Sequence, residues 1–199
     1  ERLQSLELNQ IFRVNPEWEL NQSLFAYRWT DRIQYVPDAA PATSLTAQNT
    51  GTVKGYGAEI STTWKPAPQW LVEANYAYAK ARDQRAGQDI GNAPNHQFYT
   101  RFDWAFAPRW SLDAVGQWVG EQQRTPGDNR PEVDDYTMIN STLHYAPAKH
   151  WEVSAAVRNL LDHDARAASP PGPAGQPAPI PGDYPTPDRN YWLSVRLKY

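Results

Sequence analysis

Apolar and polar residues alternate along most of this 199-residue chain with a period of two. From Trp70 to Ala79 the even positions carry Trp, Val, Ala, Tyr and Tyr, whereas the odd positions are mostly polar or small. Such alternation predicts a β-strand whose two faces meet different surroundings. No helical period persists, so we predict an all-β fold with about nine strands, over residues 3–14, 18–36, 51–64, 70–79, 96–106, 110–121, 135–146, 151–161 and 191–199.

Charged residues in the five most regular segments all take the parity opposite to the large apolar residues. One face of each strand is therefore predicted to contact an apolar medium, and the other face to contact water. The charged residues on the wet face are Glu73, Arg101, Asp103, Asp113, Glu121, Glu152, Arg158, Arg196 and Lys198.

The connections between these segments alternate in length. Every second connection is short, as in an outer-membrane β-barrel with tight periplasmic turns and long extracellular loops. A strand of about 10 residues tilted by about 45° rises roughly 23 Å, close to the height of the apolar band of such a barrel. The pattern therefore predicts an antiparallel meander of transmembrane strands, with short turns near 15–17, 65–69, 107–109 and 147–150, and long connections near 37–50, 81–94, 122–134 and 162–189.

One segment departs from the alternation. In residues 18–36, Phe25, Tyr27 and Trp29 take the parity opposite to that of Trp18 and Leu20. We expect either a β-bulge in this strand or a rise of the strand above the membrane.

A tryptophan follows each of the four short, proline-containing turns. A strand that leaves a periplasmic turn enters the membrane at headgroup depth, where an indole buries its ring and keeps its N–H hydrated. This position predicts an aromatic girdle at the membrane interface, formed by Trp18, Trp70, Trp110 and Trp151.

Composition narrows the possible functions. The chain has no cysteine, which excludes disulfides and thiolate metal sites. Its net charge of −3 provides no basic field for nucleic acid. The four histidines match no metalloprotease motif, and we predict neither a catalytic residue nor a metal or cofactor site. An outer-membrane lipase would need a Ser and a His on one outer face, and Ser141 and His144 have opposite parity.

Six stretches resemble, in order, the C-terminal part of the barrel of TonB-dependent outer-membrane receptors. The most specific are the strand entry at residues 51–59, the run Arg-Asn-Leu-Leu-Asp at 158–162, and the final strand that follows Arg189. The six stretches are NTGTVKGYGAEISTTWKP, GNAPNHQFYTRFDWAF, WSLDAVGQWVGEQQ, DDYTMINSTLHYAP, VRNLLDHDAR and PGDYPTPDRNYWLSVRLKY.

This resemblance implies a sector of a 22-stranded barrel whose lumen holds a plug domain. It also implies transport without catalytic turnover: a scarce ligand binds at the outer face, and the TonB complex supplies energy through the plug. An odd number of strands and a first residue Glu1 lead us to expect that residues 1–199 are the C-terminal portion of the barrel, without the plug and the earlier strands. The alternative is a passive porin, which would have no plug upstream.

Five residues are candidate ligand contacts. Ferric siderophores are the commonest cargo of the family, with cobalamin, other metal chelates, haem and sugars behind. Extracellular loops carry specificity on a rigid scaffold. Guanidinium groups suit an anionic chelate, and a tyrosine at the rim adds a stacking face. The candidates are Tyr35, Arg82, Arg85, Arg124 and Arg130.

The final strand carries an uninterrupted apolar row that ends on the last residue. The row resembles the terminal signal that the barrel assembly machinery recognises in outer-membrane proteins, and outer-membrane lipid would surround the strand. We predict this role for Tyr191, Leu193, Val195, Leu197 and Tyr199.

Overall fold

The computed structural model describes residues 1–38, 44–91, 93–172 and 176–197. These residues form thirteen strands: β1 (Arg2–Asn15), β2 (Trp18–Thr30), β3 (Ile33–Pro37), β4 (Leu45–Asn49), β5 (Thr52–Trp64), β6 (Trp70–Asp83), β7 (Pro94–Ala107), β8 (Trp110–Gln122), β9 (Tyr136–Ala148), β10 (Trp151–Arg158), β11 (Arg166–Ala167), β12 (Tyr184–Pro185) and β13 (Asn190–Leu197). No helix in the described part of the chain is long and apolar enough to cross a membrane.

Nine of the strands form one antiparallel sheet in the order β1-β2-β5-β6-β7-β8-β9-β10-β13. Each strand of this sheet pairs with the next one along the chain, apart from two small hairpins, β3–β4 and β11–β12, that branch off. The predicted nine-stranded meander is confirmed. All four short turns therefore lie at one end of the sheet, and the long connections lie at the other end.

The ends of the sheet strands bound the long connections, and the two strands around the second connection reach further into it than predicted. β6 continues to Asp83 and β7 begins at Pro94. We call the long connections first to fourth in chain order: residues 31–51, 84–93, 123–135 and 159–189.

The pairing register carries the two predicted faces across the whole sheet. On the outward face Trp104 lies opposite Leu112, and Leu112 lies opposite Leu143. On the lumen face Glu73 lies opposite Arg101. Neither face is covered by a second layer, as expected for a barrel wall between lipid and lumen, and the buried apolar residues among those described are only Val53, Val133 and Ala165.

Glu121 departs from its predicted place on the lumen face. Its φ of 51° turns the end of β8 out of the regular alternation. The carboxylate accepts a hydrogen bond of 3.1 Å from the Asn95 side chain and lies 3.7 Å from Nε2 of His96, which has outward parity. A left-handed residue breaks the rule that parity determines the face.

Of the two explanations offered for the changed parity in β2, the bulge is wrong. Both edges of β2 pair without a register shift around Phe25 and Tyr27. These rings remain on the lumen face because two glycines of β5 lie directly opposite them: Phe25 opposite Gly57, and Tyr27 opposite Gly55. A Cβ atom on Gly55 would lie 2.3 Å from the ring of Tyr27, so glycine provides the space that the ring occupies.

The prediction of one strand over 18–36 is also wrong. Asp31 adopts a left-handed φ of 55°, which ends β2. The chain then forms the β3–β4 hairpin, in which Ile33 pairs with Asn49. The first long connection therefore contains an ordered hairpin where the sequence predicted the end of a strand and a polar loop.

The eighth predicted strand, 151–161, ends at Arg158 because Asn159 takes a φ of 50°. Asn159 is 2% exposed. Its side-chain amide donates to the carbonyl of His163 at 2.9 Å and to that of Pro187 at 3.3 Å. One buried asparagine thus closes the turn after β10 and fastens both ends of the fourth long connection.

The apolar row of the final strand is confirmed for Tyr191, Leu193, Val195 and Leu197, which share one exposed face of β13. Val195 lies opposite Val153, on the outward parity of β10. Tyr199 and Lys198 lie outside the described residues.

Deletion of Tyr199 from the full-length protein is expected to lower the level of folded protein in the membrane several-fold, because the terminal row would lose its last aromatic ring. Heat-modifiable migration of membrane extracts measures the folded fraction. Deleting one residue from the fourth long connection, Ala168, is the control, since that loop takes no part in the row. Equal levels of both variants would contradict the assembly role.

Candidate functional site

The four predicted girdle tryptophans lie at the turn end of the sheet and begin β2, β6, β8 and β10. Further aromatic rings lie at the same level on neighbouring strands, and the turn pattern of the sequence gives no sign of them because those residues do not follow a turn. Trp70 packs on Trp104 with ring centroids 5.4 Å apart, and Trp110 stacks on Tyr145 at 4.2 Å. The outward row at this end also includes Trp64 and Phe106.

One cluster of charged residues on the lumen face is paired internally. Arg101 lies 2.9 Å from a carboxylate oxygen of Asp103 and 3.1 Å from one of Asp113. All three side chains are between a quarter and a half exposed. This arrangement forms a polar, water-compatible wall.

One Ser–His–Glu set on the lumen face resembles a hydrolase triad in composition but not in geometry. The hydroxyl of Ser154 lies 2.9 Å from Nδ1 of His144, and a carboxylate oxygen of Glu152 lies 3.7 Å from the same Nδ1. A triad requires the nucleophile and the carboxylate on opposite ring nitrogens. The set is therefore arranged as a wall contact.

A polar pocket of about 450 Å³ lies at the extracellular end, between the second and third long connections. Three of the five predicted ligand residues, Arg82, Arg124 and Arg130, line it. The other two lie elsewhere: Tyr35 projects from β3 with 74% of its surface exposed, and Arg85 lies in the exposed turn that follows β6. The fold thus brings together only part of the predicted site.

The two connections that form the pocket touch each other closely. A Cβ atom added to Gly91 would lie 2.5 Å from the backbone of Arg124 and Thr125, so only glycine allows this approach. Next to this contact, Oδ2 of Asp89 and Oγ1 of Thr125 are buried without a hydrogen-bond partner among the described residues. Both residues line the pocket, and such groups need a polar partner.

The guanidinium of Arg124 is held by the fourth long connection. It donates two parallel hydrogen bonds, of 2.9 and 2.7 Å, to the carboxylate of Asp183, and a third of 2.6 Å to the carbonyl of Pro131. The side chains of Arg124 and Asp183 are only 8% and 10% exposed. This bidentate pair connects the third connection to the fourth.

Arg130 makes a second connection between the same loops. It forms a bidentate pair with Asp128 and donates to the hydroxyl and the carbonyl of Ser169 at 2.9 and 2.8 Å. The amide of Ser169 in turn donates to Asp183 at 3.0 Å. The fourth connection is rich in Pro and Gly, and this network fastens its described residues to the third connection.

The arginines of the network favour the charged forms of two carboxylates, Asp183 and Asp128. The hydrogen bonds from Arg124 hold the pKa of Asp183 well below its usual range, against the opposing effect of burial. Hydrogen bonds from Arg130 likewise lower the pKa of Asp128. Sequence reasoning missed Asp128, Ser169 and Asp183, since nothing in a Pro- and Gly-rich loop marks which polar residue will meet an arginine of another loop. Among the described residues, no group of three or more His, Cys, Asp or Glu side chains is placed to hold a metal ion.

Comparison with solved structures agrees with this architecture. The chain superposes on the ferric-catecholate import receptor Fiu of E. coli K12 with a TM-score of 0.77 and 19% identity, over 98% of this chain and 27% of that one. It superposes on the ferric yersiniabactin uptake receptor FyuA of Yersinia pestis with a TM-score of 0.80 and 17% identity, over 99% of this chain and 30% of that one. For the ferripyoverdine receptor of the Pseudomonas aeruginosa outer membrane the TM-score is 0.77 and the identity 16%, over 98% of this chain and 27% of that one.

The chain therefore spans less than a third of the length of each of these receptors. No curated protein matches its sequence. A family model described as TonB dependent receptor-like, beta-barrel, matches residues 6–160, which is more than half of the chain. The chain thus belongs to the TonB-dependent receptor family, as part of a β-barrel of the bacterial outer membrane.

Proposed function

We propose that residues 1–199 form the C-terminal portion of the barrel of an active-transport receptor. This receptor binds a scarce ligand, a ferric siderophore or a similar metal chelate, at its extracellular face and imports it with energy from the TonB complex. Three related receptors are named for ferric-catecholate, ferric yersiniabactin and ferripyoverdine. The observation that carries the proposal is the family match together with the arginine-lined pocket between the second and third long connections.

We propose three roles for the five candidate residues. Most guanidinium N–H groups of Arg124 and Arg130 form hydrogen bonds within the protein, to Asp183, Asp128 and Ser169. These two arginines therefore shape the pocket wall. Arg82 donates a hydrogen bond to the carbonyl of Gly87 at 2.8 Å and retains further N–H groups.

Arg85 and Tyr35 do not line the pocket: Arg85 lies in the turn that follows β6, and Tyr35 lies on β3 of the first long connection. We propose that Arg82 and Arg85 supply the donors that meet an anionic chelate, and that exposed Tyr35 adds a stacking face. In the whole receptor the absent part of the barrel and the plug would complete the site.

The double variant Arg82→Ala/Arg85→Ala is expected to weaken binding of an anionic ferric siderophore by 10-fold or more, because a hydrogen bond to a charged group contributes about 1.5–3 kcal/mol. Binding of radiolabelled ferric siderophores of catecholate and hydroxamate type to chilled cells measures this. The charge-matched control is Arg32→Ala/Arg166→Ala, since neither residue lines the pocket. Wild-type affinity in the first variant would remove both residues from the site.

Energy coupling separates the receptor from a passive porin. In cells that express the full protein, loss of TonB or collapse of the proton gradient should stop accumulation of the labelled siderophore while surface binding persists. Accumulation that continues without TonB would favour the porin. Catalysis is not proposed, because the family consists of transport receptors and the Ser154–His144–Glu152 set lacks triad geometry.

A further inference from the structure

Three basic side chains lie side by side across the outward face of the sheet. Arg28 of β2 lies directly opposite Lys54 of β5, and Lys54 lies directly opposite Arg82 of β6. All three are exposed. Their parity is that of Tyr56 and Tyr78, the outward aromatic residues of the same strands. We call Arg28, Lys54 and Arg82 the basic row.

Two more cations flank the row with the same parity. Lys80, opposite Tyr56, lies one step toward the membrane, and Arg2, opposite Thr30, lies one step away from it. Tyr78 marks a level across β1, β2, β5 and β6. On the extracellular side of this level, the described outward positions of these four strands carry no carboxylate.

Like charges that face each other across a strand pair destabilise a sheet, since their Cβ atoms are about 5 Å apart. Among the described residues, no carboxylate lies within 4.0 Å of a nitrogen of the basic row. Asp89 pairs with Arg82 in an isolated bridge, but its Oδ1 accepts the amide of Gly91 at 2.9 Å. The row therefore presents an exposed positive surface, not neutralised by these residues, to an anion from outside.

The depth of the row identifies the anion. Arg82 follows Trp70 by 12 residues of one continuous strand (82 − 70). At about 3.3 Å per residue and a tilt near 45°, this places Arg82 roughly 28 Å above the periplasmic girdle, just beyond an apolar band of about 25 Å. The row lies at the level of lipid headgroups in the outer leaflet, where phosphorylated glycolipids are the anions.

We propose that the basic row binds the phosphate groups of a phosphorylated glycolipid of the outer leaflet. Each arginine offers a planar set of N–H donors that matches phosphate oxygens, and Lys54 supplies a point charge between the two arginines. The fatty chains of such a lipid would lie along the apolar surface below, past Tyr56 and Tyr78. The row is thus a lipid-docking surface separate from the solute pocket, and only Arg82 borders both.

The test uses the full receptor, purified in detergent, with hexa-acylated lipid A that carries two phosphates and with the same lipid after enzymatic removal of its phosphates. Wild type is expected to bind the phosphorylated lipid at least 10-fold more tightly. Arg28→Ala/Lys54→Ala should reduce this preference about 10-fold, and Arg28→Lys/Lys54→Arg should retain it. The charge-matched control Lys65→Ala/Lys149→Ala, in two periplasmic turns, should behave like wild type.

Equal binding of both lipids by wild type would overturn the proposal, as would an unchanged preference in Arg28→Ala/Lys54→Ala. Inorganic phosphate that displaces the lipid at millimolar concentration would also overturn it, because the row would then be a site for the free ion. If the alanine variant does not fold, the salt dependence of lipid binding by the wild-type protein tests the proposal. The preference for phosphorylated lipid must then decline as the salt concentration is raised. Because Arg28 and Lys54 lie outside the solute pocket, siderophore uptake by the alanine variant tests the proposed function separately.

Discussion

Replacement of Asp183 by Ala is expected to release the fourth long connection from the third. The substitution removes the partner of a bidentate, nearly buried arginine and one acceptor of the Ser169 amide. Loss of such a partner by a charged donor costs about 2–3 kcal/mol, which corresponds to roughly 30- to 160-fold faster opening. Hydrogen exchange at the amide of Ser169 in the full receptor measures this opening.

An exposed ion pair in the same loop provides the control. Asp164 pairs with Arg166 at 3.0 Å, but its side chain is 69% exposed, so Asp164→Ala should leave exchange at Ser169 near the wild-type rate. Similar exchange rates in both variants would show that burial of the Arg124–Asp183 pair does not stabilise the attachment of the fourth connection to the third.

The Arg124–Asp183 pair also predicts how the third and fourth connections respond to acid. Because the folded-state pKa of Asp183 is lowered, its contribution is fully present above its ordinary pKa of about 3.9 and is lost as pH falls below that value toward the lowered pKa. Exchange at Ser169, corrected for the intrinsic rate, should therefore stay constant from neutral pH down to about 5 and rise only at lower pH. In Asp183→Ala this rise should be absent.

Gly57→Ala is expected to destabilise the barrel strongly. A Cβ atom there would lie 2.3 Å from the backbone carbonyl oxygen of Tyr78 and 2.4 Å from the ring of Phe25. The strands cannot separate without loss of their hydrogen bonds, so we expect a loss of about 2 kcal/mol or more in the free energy of unfolding. Urea unfolding of the receptor in lipid vesicles measures the change.

Gly116→Ala is the matched control, since Gly116 also lies within a sheet strand. Its added Cβ would approach only a methyl group of Thr100, at 3.1 Å. The change in unfolding free energy should stay within about 1 kcal/mol. A barrel with Gly57→Ala that is as stable as this control would show that β5 and Phe25 rearrange freely.

Most of the architecture could be predicted from the sequence because barrel strands follow local rules. Parity alone placed Trp104 and Arg101 on opposite faces, as in the structure. Turn chemistry placed Trp70 at the end that carries the short turns. These properties depend on a residue and its immediate neighbours, and the membrane imposes the same rule on every strand.

Predictions failed where the backbone leaves regular β geometry. Asp31, Glu121 and Asn159 each adopt a positive φ, which ends a strand or turns a side chain away from its predicted face. A period-two pattern contains no sign of such a residue, because Asp, Asn and Glu also occur as ordinary wet-face residues.

Contacts between distant segments were decided only by the tertiary structure. Arg124 and Asp183 are 59 residues apart in the chain, and both were indistinguishable from solvated loop residues until the third and fourth connections were placed together. The basic row likewise depends on the register that aligns Arg28 with Lys54 and Lys54 with Arg82. The sequence by itself determined the faces, the turns and the family, since these follow from local alternation and from short ordered motifs. Pairing register and loop packing determined which charges meet, because they arise from cooperation among segments that no local pattern encodes.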